Sequence, residues 1–225
     1  MSLIRIQNFS ISLDGFGTGE GLTFEEPFGH AGERLHEWMF ATRFGRGMFG
    51  GGDGSDGVDN AFAQRHDTLD IGAEIMGRGK FGPQTGPWTD LGQDDEWRGW
   101  WGDEPPFHTP VFVLTHHPRP SIEMAGGTVF HFVDASPEEA LALAREAAGG
   151  RDIRLGGGAT SIREFFAAGL VDVAHLVVVP IVLGRGVRLW DGLEGLEADY
   201  EIEQVSSPSG VVHLGLTRRA AGVTE

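Results

Sequence analysis

Residues 153–186 read IRLGGGATSIREFFAAGLVDVAHLVVVPIVLGRG, and this stretch decides the fold. Ile153-Arg154-Leu155 is a short strand, Gly156-Gly157-Gly158 turns it directly into a helix running to about Ala168, and Gly169 closes that helix. Ile162, Phe165 and Phe166 share one helical face, which is therefore the buried one. Asp172 to Leu183 is a nearly continuous apolar run, as expected of a strand covered on both sides. Its Pro180 interrupts ladder bonding near the end.

Working outward, Ser136 is an N-cap, Pro137 takes the first helical position and Glu139 completes a capping box. Gly149-Gly150 then stop an alanine-rich helix. Upstream, Ile4 to Ile11, Ala73 to Gly77, Val111 to Leu114 and Val129 to Val133 read as strands. Arg34 to Arg43 and Val58 to Leu69 carry helical spacing. Pro87 to Phe107 is a long loop with Trp88, Trp97, Trp100 and Trp101, either a binding loop or a connection pinned to the core by its tryptophans. Tyr200 to Gln204 and Val211 to Thr217 alternate around Pro208-Ser209-Gly210, an antiparallel hairpin. No repeat or Pro/Ser linker divides the chain. The expectation is a single α/β domain over residues 1–225, with a mixed, mainly parallel central sheet flanked by helices and a C-terminal antiparallel hairpin.

Composition narrows the function classes. The 225 residues hold 17 Lys+Arg against 33 Asp+Glu, a formal charge of -16, which disfavours nucleic acid and anionic membranes as partners. No apolar run is long enough to span a bilayer. The absence of cysteine removes disulfides, thiolate metal sites and thiol nucleophiles, and fits a soluble cytoplasmic protein. Nine histidines are present, but no HExxH or comparable spacing accompanies them, so no metal site is expected. Seven of the 36 glycines crowd into residues 45–57 (GRGMFGGGDGSDG), which reads as a mobile insertion between helices.

Ligands of parallel α/β sheets collect at the carboxyl ends of strands. Three segments lie there: Gly77-Arg78-Gly79-Lys80, Thr115-His116-His117-Pro118-Arg119, and Gly156-Gly157-Gly158-Ala159-Thr160. A glycine turn at a helix N-terminus lets backbone N–H groups approach an anion, and Arg78, Lys80 and Arg119 supply cations in an acidic chain. The spacing is neither GxGxxG nor the P-loop, so a plain strand-to-helix turn and solvated loops are the competing readings.

SLDG at 12–15, IMGR at 75–78, VFVLT at 111–115, LGGGA at 155–159, and GLVD with VVPIVLGRG within 169–186 occur in that order. In this the chain resembles the dihydrofolate reductase superfamily, and within it the branch of the riboflavin-biosynthesis reductase C-terminal domain. The resemblance covers about residues 3–218 and implies a dihydrofolate reductase-like fold and NADPH as cofactor. It implies a cis peptide at Gly156-Gly157, and pyrophosphate and ribose contacts at Gly77, Arg78, Gly79 and Lys80. The 2'-phosphate would meet Thr115, His116, His117 and Arg119; Gly158, Ala159 and Thr160 complete the glycine-turn contact. Asp14 and Gly15 match the mobile loop at nicotinamide and substrate. Asp14, then Glu37 or His36, is the expected proton source or substrate-polarising group, although Asp14 reads equally as a turn-capping residue. The resemblance further implies a small-molecule substrate and homodimeric association. Two departures stand out: residues 15–35 lack the Trp of dihydrofolate reductases, and the deaminase zinc signature is absent. One reading is an NADPH-dependent reductase acting on C=N or C=O of a heterocyclic or sugar-like compound, such as 5-amino-6-(5-phosphoribosylamino)uracil. The other is a nucleotide-binding protein that has lost its chemistry.

Overall fold

Aliphatic and β-branched residues dominate the strands of the protein, whose computed structural model describes residues 2–48, 50–88 and 97–220. In chain order the strands are β1 (Ile4–Ser12), β2 (Phe16–Thr18), β3 (Ile71–Gly77), β4 (Pro110–Leu114), β5 (Ile122–Glu123), β6 (Val129–Val133), β7 (Asp152–Leu155), β8 (Val173–Val179), β9 (Val187–Arg188), β10 (Tyr200–Ser206) and β11 (Val212–Arg218). The helices are α1 (Glu37–Phe40), α2 (Arg43–Met48), α3 (Val58–Ala63), α4 (Arg65–Thr68), α5 (Arg78–Phe81), α6 (Pro137–Ala148) and α7 (Ala159–Ala167). Among the described residues the main sheet has nine strands in the order β10-β11-β8-β1-β7-β3-β4-β6-β5, and β2 pairs with β9 separately. The six strands from β8 to β6 are mutually parallel, while β11 pairs antiparallel with β8, β10 antiparallel with β11, and β5 antiparallel with β6.

One face of the sheet is covered by α6 and α7. Ile4, Ile6, Ile75, Ile153, Leu155 and Leu176 pack there against Leu141, Ala144, Ile162, Phe165 and Phe166. The Ser136 capping box and the left-handed Gly149 fix both ends of α6 as expected. On the other face the apolar surface is in two pieces. Met76, Val111, Val113, Phe130 and Phe132 hold Phe81, Trp88 and Phe107 at one end. Val177 and Val179 hold Leu35, Trp38 and Leu183 at the other.

Several boundaries differ from the sequence expectation. β8 stops at Val179 rather than Leu183, because Pro180 cannot donate and the Ile181 amide turns back to the Val179 carbonyl. The helix expected over 34–43 begins as a 3-10 turn at Gly32–Leu35 and restarts as α1 after His36. The helix expected over 58–69 breaks at Gln64 into α3 and α4. Trp88 and Trp101 pack onto the Phe81/Phe130 cluster and so pin the long connection to the core, while residues 89–96 of it lie outside the described residues.

The glycine stretch 45–57 is the largest correction. Apart from Phe49, which lies outside the described residues, it folds back on the α1–α2 junction. The Arg43 amide donates to the Ser55 carbonyl at 3.0 Å, the Ser55 amide to the Ala41 carbonyl at 2.9 Å, and the Gly51 amide to the Arg46 carbonyl at 2.8 Å. Its glycines serve close backbone approach: a Cβ on Gly45 would lie 2.1 Å from the Met39 oxygen, and one on Gly54 2.4 Å from the Thr42 carbonyl. A Cβ on Gly47, in the same helix as Gly45, would meet nothing within 4 Å among the described residues. Gly45→Ala is therefore expected to destabilise the protein by about 1–3 kcal/mol. Gly47→Ala is expected to stabilise it by roughly 0.5–1 kcal/mol through helix propensity. Urea unfolding of the two variants checks this; an equal response would mean the stretch does not pack.

Candidate active site

The gap between the two apolar clusters is filled by charge. Glu74 on β3 and Arg154 on β7 are register partners, so both side chains leave the sheet on the same side. Both are buried, with side-chain exposures of 1% and 7%. The Arg154 Nε donates to Glu74 Oε1 at 2.9 Å, the Nη2 donates to the same oxygen, and Nη1 donates to the His66 carbonyl at 3.2 Å. Glu74 Oε2 has no hydrogen-bond partner among the described residues.

Directly beyond this pair the sheet opens into the glycine turn. The Gly156 amide bonds the Ile75 carbonyl and the Gly77 amide bonds the Gly157 carbonyl, each at 2.8 Å. The ladder thus holds the chain one residue further than expected, and the cis peptide is Gly157-Gly158, not Gly156-Gly157. Gly157 has φ +106°, a left-handed conformation that glycine adopts at no steric cost. Gly158 caps α7, and an added Cβ there would meet nothing within 4 Å. Gly156 is small for another reason: a Cβ would lie 2.6 Å from Lys80 Nζ and 3.4 Å from Glu74 Oε2.

Lys80, at the third position of α5, therefore projects its amine across the ends of β3 and β7. It is half-buried, its Nζ stands 5.9 Å from the Phe107 ring centre, and it makes no hydrogen bond or ion pair among the described residues. Burial pulls its pKa down to about 8, with Glu74 opposing and Arg154 assisting the shift. His36 and His66 are half-buried on the helical side of the cleft. Burial, reinforced by the Lys80 charge, holds His36 at about 4; burial with Arg154 and Lys80 holds His66 at about 3. Both imidazoles are neutral at physiological pH.

The other expected site residues are dispersed. Asp14 is committed to the loop after β8: Oδ1 accepts from Ser12 Oγ at 2.6 Å and the Leu183 amide at 3.0 Å, and Oδ2 from the Gly184 amide at 2.7 Å. Desolvation opposes its ionisation, but the Ser12, Leu183 and Gly184 donors outweigh it and hold the carboxyl at about 2. These bonds are those of a turn-capping aspartate, one of the two readings its position carried. Gly15 beside it is left-handed at φ +83°. Glu37 is exposed, and His36 lies 4.4 Å from the Phe28 ring, centre to centre. Arg78 stacks on Trp88 at 3.8 Å and donates to the Gly86 carbonyl and Thr115 Oγ1. Arg119 lies over Trp88 at 4.0 Å and Phe132 at 4.3 Å and donates to the Trp97 carbonyl. Both guanidiniums are set among aromatic rings. His116 is exposed and pairs with Asp134 at 2.9 Å, and the His117 amide bonds Thr115 Oγ1 at 3.1 Å. Gly77, Gly79, Ala159 and Thr160 stand at the strand and helix ends as expected, with Gly79 facing open space.

Two features of this region escaped the sequence reading although each left a trace. Glu74 interrupts an apolar strand and Arg154 interrupts another, while Lys80, expected as a pyrophosphate contact, is the sole lysine of the sequence, the remaining 16 of 17 Lys+Arg being arginine. A second buried polar chain runs alongside. His213 Nε2 meets Asp59 Oδ1 at 2.8 Å, His213 Nδ1 meets His175 Nε2 at 3.0 Å, and His175 Nδ1 meets Asn8 Oδ1 at 3.0 Å. It ties α3 to β11, β8 and β1, and burial, with His213 and Arg65 nearby, holds His175 at about 3.

A mainly parallel sheet in this order, with its central glycine turn opening α7, defines the dihydrofolate reductase-like class of α/β proteins. Within it, the chain belongs to the RibD C-terminal domain family, whose model matches residues 6–209. The fold is shared with a putative riboflavin biosynthesis protein from Shewanella sp. PV-4, at 19% identity and TM-score 0.57 over 98% of this chain and 100% of that one. Dihydrofolate reductase from Enterococcus faecalis, complexed with NADP(H), aligns at 15% identity and TM-score 0.50 over 97% of both chains. The diaminohydroxyphosphoribosylaminopyrimidine deaminase/5-amino-6-(5-phosphoribosylamino)uracil reductase from Thermotoga maritima aligns at 13% identity and TM-score 0.50, covering 97% of this chain and 57% of that one. Comparison with curated proteins finds no match. Among the described residues no helix is long and apolar enough to cross a membrane.

Two outcomes follow from the buried charges. Glu74→Ala strands Arg154 and is expected to cost about 3–5 kcal/mol, whereas Glu74→Leu combined with Arg154→Met should recover most of that loss; denaturant titration of the three proteins measures it. His36, His66 and His175 are held neutral in the fold, whereas in the unfolded chain they take up protons near the ordinary value of 6.5. Their contribution to stability is complete above that value and is lost as pH falls from 6.5 toward 4 and then 3. Each contributes a slope of roughly 1.4 kcal/mol per pH unit inside its window. Calorimetry from pH 7.5 to 4.5 should show the melting temperature falling from about pH 6.5 downward; a flat profile to pH 4.5 would contradict the buried neutral imidazoles.

Proposed function

We propose that the protein is an NADPH-dependent reductase that adds hydride to a C=N or C=O of a small heterocyclic or sugar-like compound, with 5-amino-6-(5-phosphoribosylamino)uracil as the first candidate. The observation that carries this reading is the open cradle at the end of β7. Gly157, Gly158 and the first residues of α7, Ala159 and Thr160, present backbone at a helix N-terminus with no side chain in front of Gly158, and Gly79 is equally open across from it. These residues fit the pyrophosphate of a dinucleotide, and Thr115, His116 and His117 at the neighbouring strand end fit a 2'-phosphate. When bound, the cofactor supplies a hydride equivalent. The chain's own part is to orient substrate against it, to exclude water and to supply a proton. Arg78 and Arg119, held over Trp88, stiffen the wall between the β3 and β4 ends.

The competing reading, a nucleotide-binding protein without chemistry, rests on Asp14 being consumed by the 183–184 loop. One assay separates the two. NADPH is expected to raise the melting temperature more than NADH does, and the protein is expected to oxidise NADPH, followed at 340 nm, with 5-amino-6-(5-phosphoribosylamino)uracil or a related carbonyl or imine. Stabilisation without turnover of any of them would favour the binding protein. If neither dinucleotide stabilises the protein, the cofactor assignment falls, and the reductase reading with it.

A further inference from the structure

We propose that Lys80 is the proton donor of the reaction, an amine placed at the meeting point of β3, β7 and the glycine turn to protonate the substrate heteroatom as hydride reaches its carbon. This rests on the reductase reading and assigns the proton to a group other than Asp14, Glu37 or His36. Position comes first. Lys80 Nζ occupies the space that a side chain on Gly156 would take, 2.6 Å from where its Cβ would stand, one residue before the cradle. Its stem rises from α5, and the amine makes no hydrogen bond or ion pair among the described residues, so its protons are uncommitted.

Chemistry comes second. The chain uses arginine for 16 of its 17 basic residues, so a cation for structure or solubility is an arginine here. A guanidinium does not give up a proton in proteins, while an ammonium can. The single place where lysine is kept is the one where a titratable amine faces the cleft. The groups that face it are Glu74 on β3, Arg154 on β7, His66 on α4 and His36 ahead of α1, with the Phe107 ring beside it. The two imidazoles are neutral and carry no transferable proton. Glu74 Oε2, turned toward the same space, keeps the ammonium from being lost outright.

The step balances with the hydride donor already named. The hydride brings two electrons to the carbon of C=N or C=O, and the π pair moves onto nitrogen or oxygen. One N–H bond of the Lys80 ammonium breaks, and its proton joins that heteroatom. The products are the amine or alcohol, the oxidised dinucleotide and neutral Lys80, which regains a proton from water.

Because there is one lysine, its titration can be read without assignment. The pH dependence of acetylation of Lys80 by acetic anhydride, followed by mass spectrometry, should have its midpoint near pH 8 in the protein alone, against about 10.4 for an ordinary lysine. In the NADP+ complex, with its positive nicotinamide ring, the midpoint should lie below that in the NADPH complex. A midpoint near that of an ordinary lysine overturns the proposal, and so do equal midpoints in the two complexes. Complete protection by both dinucleotides would make Lys80 a phosphate ligand instead and equally overturn it. Melting curves recorded in parallel show whether the dinucleotides bind at all, so failure of the cofactor reading is seen separately. Lys80→Arg should keep the NADPH-induced stabilisation and lose turnover by about 100-fold or more on a substrate returned by the NADPH assay; turnover retained by the Lys80→Arg variant would refute the role.

Discussion

Glu74 and Arg154 meet where β3 and β7 run side by side at the centre of the sheet, and the arrangement above them follows from the cost of placing two charges there. An ion pair taken out of water must be closely paired and hydrogen-bonded to be tolerated. Arg154 achieves this through two bonds to Glu74 Oε1 and one to the His66 carbonyl, which fixes α4 over the sheet. No apolar side chain can cover this strip, so the apolar surface of that face separates into the Phe81/Phe130 and Trp38/Val177 clusters. The buried Glu74–Arg154 pair is what lies between them. On the opposite face, where no charge intervenes, one continuous cluster forms under α6 and α7.

The same pair sets the electrostatics of the cleft. Two neutral imidazoles, a half-buried amine and a carboxylate oxygen lie within mutual influence in a poorly solvated space. Low local polarisability penalises each additional charge, and that is why the histidines give up theirs first and the lysine is brought into the range where it can exchange a proton near neutral pH. Asp14 follows the opposite logic: three donors stabilise its anion and tie it to the 183–184 loop.

Much of the scaffold was legible because it is written locally. The β7–turn–α7–β8 unit, the capped α6 and the C-terminal hairpin depend on apolar periodicity, caps and turn residues within a few positions of one another. The site was less legible, because it depends on partners far apart in the chain: Glu74 and Arg154 are separated by 80 residues. Arg78 and Arg119 read as phosphate ligands from their charge at strand ends; that the fold brings Trp88 to both and Phe132 to Arg119 could not be read from their neighbours in the chain. The glycines of 45–57 read as freedom when counted together; their backbone neighbours at Met39 and Thr42 show that two of them are required by contact. Glu74 and Arg154 are conspicuous only when seen as a pair, and pairing across a parallel sheet is not visible along one strand.

The glycine triplet shows how one short motif answers to several constraints at once. Gly157 is dictated by its left-handed backbone, Gly158 leaves the start of α7 uncovered, and Gly156 yields its volume to Lys80. A side chain at Gly156 would push the amine away from Glu74 Oε2 and from the strand ends, while one at Gly158 would stand in front of the α7 amides. The spacing of the triplet thereby couples the position of a titratable amine to the uncovered start of α7 one peptide away. Lys80 hangs from α5, which begins directly where β3 ends, and β3 and β7 are held in register by the Gly77–Gly157 and Gly156–Ile75 bonds, so the backbone that carries the amine and the glycine turn are fixed to each other.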